Sequence, residues 1–232
     1  MGPVHVAGAY RGVVDILAAL TLVVEFGMLR QALARDQIRL YAAQSALISV
    51  LAIVIGAGRG LTGLFALAGL SAALKVVAIP LVMRRLLRGP GRGGSGPAEA
   101  PGVAGSLSLS LASTVLWSLG LAAFGAFTFT AMNIHSPVAP AAALAIAAAM
   151  VLVSFALMIV RRDAVSQAIG YFSLDNAISL ASLVVAAGLP LILETLFLFD
   201  LLVAVVVFGL LMRARHARGQ SLSTAGLTKL RG

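Results

Sequence analysis

Five charged side chains lie well inside long apolar runs of this chain: Glu25, Lys75, Asp175, Glu194 and Asp200. A charge near the centre of a lipid-embedded helix costs about 2.5–3.5 kcal/mol on insertion scales, so charges so placed pair, line water, or relay protons or ions. Asp175 falls near the middle of the run 164–187 and Asp200 near the middle of 189–212. The tight turn Ala187-Gly188-Leu189-Pro190 makes these runs antiparallel neighbours, so the two acids are expected to face each other at one depth. Two carboxylates in a low-dielectric site cannot both ionise cheaply, which suits the pair to taking up and releasing a proton. Glu194 lies nearer the outer end of the run that holds Asp200. Lys75 is followed by Pro80, whose ring frees the carbonyl of Val76. Glu25 lies in the cytoplasmic half of the first run, while Gln44 and Ser45 give the second run a polar spot at a comparable level. The expected proton path is therefore Asp175, Asp200, Glu194, Lys75 and Glu25, supported by Gln44 and Asn176.

Other chemistry is poorly served. Cysteine is absent, which excludes thiolate-held iron–sulfur clusters, disulfides and thiol redox steps. The three histidines lie near loops or ends, and the acids are too dispersed for a metal cage. No nucleophile-and-base constellation or phosphate loop accompanies them. The chain is expected to have no catalytic site and no cofactor of its own.

These residues need elements that hold them in lipid. Of the 232 residues, 60% are hydrophobic and 11% charged, against about a quarter charged in a soluble domain. Spanning the hydrocarbon takes about 20 apolar residues per helix. Seven runs qualify, near 12–30, 38–57, 62–83, 107–130, 138–160, 164–187 and 189–212. None alternates polar with apolar as barrel strands do. The expected fold is an all-α, polytopic transmembrane bundle. The first run contains Asp15 and Glu25 and reads as a retained span, not a cleaved signal.

Lysine and arginine set the orientation. They crowd the loops after the first, third and fifth spans and the C-terminal tail, leaving only Arg11 and Arg59 on the opposite side. The positive-inside bias puts the N-terminus outside and the C-terminus in the cytoplasm of a bacterial cell (inner) membrane. The net charge of +9 is thus loop anchoring, and no nucleic-acid partner is expected. Glycine and proline mark a flexible cytoplasmic linker over 89–105, between a three-helix unit (1–88) and a four-helix unit (106–213), with a cytoplasmic tail at 214–232. Ala141, Ala145 and Ala149 form a small-residue face suited to close helix contact.

A shift of 130 residues brings Gln37 onto Gln167, Tyr41 onto Tyr171, Ile48 onto Ile178 and Ser49 onto Ser179. Spans one to three thereby map onto spans five to seven in the same direction across the membrane. This is a weak parallel three-helix repeat, unlike the inverted repeat of many transporters.

The run Gln167-Ala168-Ile169-Gly170-Tyr171, with Leu174-Asp175-Asn176, Pro190-Leu191, Glu194, Asp200 and Phe208-Gly209, resembles the E component of hydrogenase-4. So do Arg39-Leu40-Tyr41 with Gln44, Leu74-Lys75 with Ile79-Pro80, and the closing Ser221-Leu222-Ser223-Thr224. That family belongs to complex-I-like, formate-hydrogenlyase-type [NiFe] hydrogenases. The C-terminal part is more distantly similar to the small K component of complex I and to the C component of Mrp antiporters. Where the hydrogenase E component has a glutamate before the asparagine, this chain has Asp175. The resemblance implies a non-catalytic membrane subunit, whose partners are antiporter-like and anchor subunits, lipid and, indirectly, peripheral redox subunits. Two other readings fit the same acids: a subunit of a multisubunit cation/proton antiporter, and a purely structural membrane adaptor.

Overall fold

A computed structural model of the chain describes residues 3–87, 110–131 and 141–185, together with positions 202, 205, 206, 209 and 213. Every regular element among them is helical. Helix α1 spans Pro3–Arg30, α2 Ala34–Arg59, α3 Gly63–Ser71, α4 Ile79–Leu87, α5 Leu111–Ala131, α6 Ala141–Val160 and α7 Ala164–Val185. A π-helical segment, Ala72–Ala78, joins α3 to α4, so these make one continuous span. Among the described residues, six helices are long and apolar enough to cross a membrane, at the first six expected runs. The run 189–212, and with it the facing of Asp175 and Asp200, lies outside the described residues apart from isolated positions, as does the 89–105 linker.

Local chemistry explains the ends. The α2 helix stops at Gly60, whose φ of 67° is left-handed and whose N–H reaches back to the Gly56 carbonyl. At the start of α7, the Asp163 carboxylate accepts the Ser166 N–H at 2.7 Å, a side-chain cap. Helix α6 meets α5 closely at Ala148 and Ala149. A Cβ added at Gly125 would come within 3.1 Å of the backbone of Ala148 and Ala149.

The repeat is visible in space. The connectors Gln31–Leu33 and Arg161–Asp163 fall at equivalent positions between α1 and α2 and between α6 and α7. Gln37 donates to the Gln31 carbonyl at 3.1 Å, and its counterpart Gln167 donates to the Arg161 carbonyl at 3.0 Å. Equivalent helices then pair across the repeat. The contacts Thr21–Met150 (3.2 Å), Ser154–Glu25 (2.5 Å), Ser166–Gln37 (2.7 Å) and Ser173–Gln44 (3.1 Å) each join residues 129 apart. A constant separation means α6 runs parallel to α1, and α7 parallel to α2. Two of the three expected helix pairs are thus seen, and the copies run in the same direction.

The interior is layered. One apolar cluster gathers Val14, Ala18, Ile48, Leu51, Ile55, Leu64, Met150, Leu180 and Val184. A second gathers Met28, Leu29, Ile38, Tyr41, Ile79, Met83, Leu157, Ile169 and Phe172. Along α1, α2, α3–α4 and α7, the buried Glu25, Gln44, Lys75, Ser173 and Asn176 come between the two.

Candidate functional site

Four helices and the π segment supply that polar layer. Glu25 on α1 is fully buried. Its Oε1 accepts from the Ser154 hydroxyl of α6 at 2.5 Å and from the Ser173 hydroxyl of α7 at 2.9 Å. The Gln44 amide of α2 stands 3.5 Å from Oε2. The other end of that amide, Oε1, lies 3.1 Å from the Ser173 hydroxyl and accepts from Asn176 Nδ2 at 3.0 Å. Asn176 also donates to Ser45 at 2.9 Å. Hydrogen bonds therefore run without a break from Glu25 to Ser45.

Lys75 and Asp175 form the second half of the layer. Lys75, 1% exposed, sits 2.5 Å from the Asp175 carboxylate and donates to Ser179 at 2.9 Å. The lysine therefore answers the acid beside Asn176, which the sequence alone paired with Asp200. Its position has a structural cause. The Ile79 N–H bonds the Leu74 carbonyl, five residues back, so the π segment widens the helix at Lys75. Pro80, which follows, has no N–H to close the ordinary ladder. A buried ion pair with an added hydroxyl satisfies both charges, and removing either partner leaves the other uncompensated.

Of the expected path residues, the structure thus unites Glu25, Gln44, Asn176, Asp175 and Lys75 in one layer. Glu194 and Asp200 lie outside the described residues. Sequence reasoning did not single out Ser154 or Ser173, and named Ser179 only as the repeat counterpart of Ser49. A signal existed: Gln37 and Gln44 on α2 and Ser166 and Ser173 on α7 share a seven-residue spacing, which keeps a polar stripe on one helical face.

A separate polar cluster closes the connector end of the bundle. Arg161 donates to the Leu29 and Gln31 carbonyls, both at 2.7 Å, which places a cation at the C-terminal end of α1. Burial draws this guanidinium below its ordinary value while Asp163 opposes the shift; an arginine keeps its charge regardless. Among the described residues, no group of three or more histidine, cysteine, aspartate or glutamate side chains is placed to hold a metal ion.

The chain is similar to the uncharacterized protein Rv0085 of Mycobacterium tuberculosis (strain ATCC 25618 / H37Rv), at 32% identity over 204 residues. The match covers 85% of this chain and 84% of that protein. No protein-family model matches the chain, and no solved structure matches it.

Proposed function

This chain belongs to the same family as the mycobacterial Rv0085, and we propose that it is a non-catalytic subunit of a complex-I-like hydrogenase complex, contributing to a proton path and to scaffolding. The observation that carries this reading is the polar layer itself. Glu25, Ser173, Gln44 and Asn176, with the Lys75–Asp175 pair, form a buried polar group drawn from both copies of the repeat. Serine hydroxyls can accept a proton on one side and release one on the other, while the amides hold them in register. Apolar clusters lie to either side of the layer along the helices. The layer therefore runs across the bundle, a direction suited to passing charge between neighbouring subunits. The resemblance to the hydrogenase-4 E component supplies the kind of neighbours: antiporter-like and anchor subunits, with redox subunits at the periphery. On this reading the chain sits in the cell inner membrane with its N-terminus outside and its C-terminus in the cytoplasm. A reporter fused at Ser136 should read as external, and a cytoplasmic signal there would reverse that orientation.

The test uses the native complex in sealed vesicles. Glu25→Gln keeps size and hydrogen bonding but cannot titrate, and Asp175→Asn combined with Lys75→Met removes the titrating acid of the ion pair without stranding its lysine. Each should leave the subunits assembled, as judged by copurification, while reducing both proton-coupled turnover and the pH gradient. Unchanged turnover and gradient in both variants would make the layer architectural. Copurification of the wild-type chain with hydrogenase large and small subunits is expected. Recovery with antiporter subunits alone would move the chain to a cation/proton antiporter.

A further inference from the structure

We propose that the pocket around Glu25 takes sodium in exchange for its proton. This deepens the reading of Glu25 as a proton-path residue, on which it rests, by naming a second ion that the same site accepts.

The first ground is charge. Glu25 is fully buried, and among the described residues no lysine, arginine or histidine nitrogen lies within salt-bridge distance of it. Lys75, the buried cation of the layer, is held by Asp175 and Ser179. Among the described residues, the helices around Glu25 bring no other neutralising charge: α5 and α6 contain no ionisable residue, α7 contributes the engaged Asp175 and the phenol Tyr171, and α2 contributes the phenol Tyr41 at this depth. A carboxylate taken out of water must be neutralised by a proton or by a bound cation. One negative charge among neutral groups matches a monovalent ion, whereas divalent ions gather more carboxylates.

The second ground is the donor set. A proton on a carboxyl oxygen needs one acceptor. Here the oxygens of Glu25, Ser154 and Ser173 converge from three helices, while Gln44 turns its amide nitrogen to Glu25 Oε2 and its oxygen to Ser173. The converging oxygens are hard ligands, the type that alkali and alkaline-earth ions prefer, with no sulfur or imidazole among them. Ser173 shows how the set would serve either ion. Its single hydrogen can go to Glu25 Oε1 at 2.9 Å or to Gln44 Oε1 at 3.1 Å, but not to both. With sodium beside Glu25, the hydroxyl gives its hydrogen to Gln44 and turns a lone pair to the ion. Sodium enters as the carboxyl proton leaves, so the net charge of the pocket is the same in both states.

Dicyclohexylcarbodiimide, which attacks buried carboxyl groups in their protonated form, reads this exchange at the residue. Native membranes holding the whole complex are labelled at fixed pH, and the peptide containing Glu25 is quantified by mass spectrometry. Sodium chloride should slow labelling of Glu25 about tenfold at ten times its half-protecting concentration, as mass action requires. Choline chloride of equal ionic strength should not. In Ser154→Ala, labelling without sodium should persist while half-protection needs roughly tenfold more sodium, the loss of about 1.4 kcal/mol from one ligand. Labelling that falls with rising pH yet ignores sodium overturns the cation site and leaves the proton path standing. A Glu25 that stays unlabelled at every pH overturns both.

Discussion

Lys75 carries the most direct energetic test at the scale of single residues. With Asp175 at 2.5 Å and Ser179 at 2.9 Å it is a satisfied buried cation, and its loss strands a carboxylate in a buried layer. Lys75→Met is therefore expected to destabilise the protein by about 3–5 kcal/mol. Lys75→Met combined with Asp175→Asn removes both charges and should recover most of that loss. Thermal unfolding of the purified complex in detergent measures the cycle. If the double variant is as unstable as the sum of the singles, the two residues are not coupled and Lys75 is not the partner of Asp175. Ser173 is a subtler case, because its hydroxyl is shared between Glu25 and Gln44. Ser173→Ala leaves Glu25 its contact with Ser154 and should cost only about 0.5–1.5 kcal/mol. The same change should reduce proton-coupled turnover far more than that loss of stability explains, and Ser173→Thr, which keeps the hydroxyl, should restore it. Equal turnover in alanine and wild-type proteins would remove Ser173 from the path.

At the scale of elements, helices meet where side chains are missing. Gly125 of α5 lies against the backbone of Ala148 and Ala149, which cannot swing aside as a side chain would. Gly125→Val should force α5 off α6 and lower the melting temperature, at a cost of about 1–3 kcal/mol for overpacking. Gly120, on the same helix, has nothing within 4 Å of an added Cβ. Gly120→Ala is expected to be neutral or slightly stabilising, since alanine is the better helix former. If both variants melt alike, the close approach does not organise the α5–α6 pair. The π segment belongs to this scale too. It widens a span in lipid at the residue that must reach a partner on α7, and local π geometry of this kind often accompanies functional positions.

For the whole molecule, the decisive feature is that two copies of a helix pair stack in parallel. The absence of cysteine makes this measurable, since any introduced pair acts alone. Gln37→Cys with Ser166→Cys joins positions whose side chains bond at 2.7 Å and should cross-link readily under mild oxidation. Gln37→Cys with Phe127→Cys should not, because Phe127 is 72% exposed on the outer face of α5. Efficient cross-linking of the second pair and none of the first would refute the parallel packing of α2 on α7. A bundle built this way places a polar layer between two apolar clusters.

The sequence by itself determined the class of molecule, because hydrophobicity and helix length act locally. Six of the expected spans appear as helices. The 130-residue shift paired Gln37 with Gln167, and in the structure both donate to equivalent connector carbonyls. Penalised charges stand out in any apolar run, so Glu25, Lys75 and Asp175 could be named without knowing their neighbours. Which groups would meet was a different matter. Matched depth on adjacent spans suggested Asp200, which lies outside the described residues, as a companion of Asp175, but depth fixes only one coordinate of a side chain. The direction it points depends on helix rotation and on packing between segments far apart in sequence. That is why the contact of Lys75 with Asp175, 100 residues away, and of Glu25 with Ser154 and Ser173 came only from the tertiary structure. Serines carry no charge to betray them in an apolar helix. Their meaning emerges only when parallel copies bring α1, α2, α6 and α7 together around one buried carboxylate.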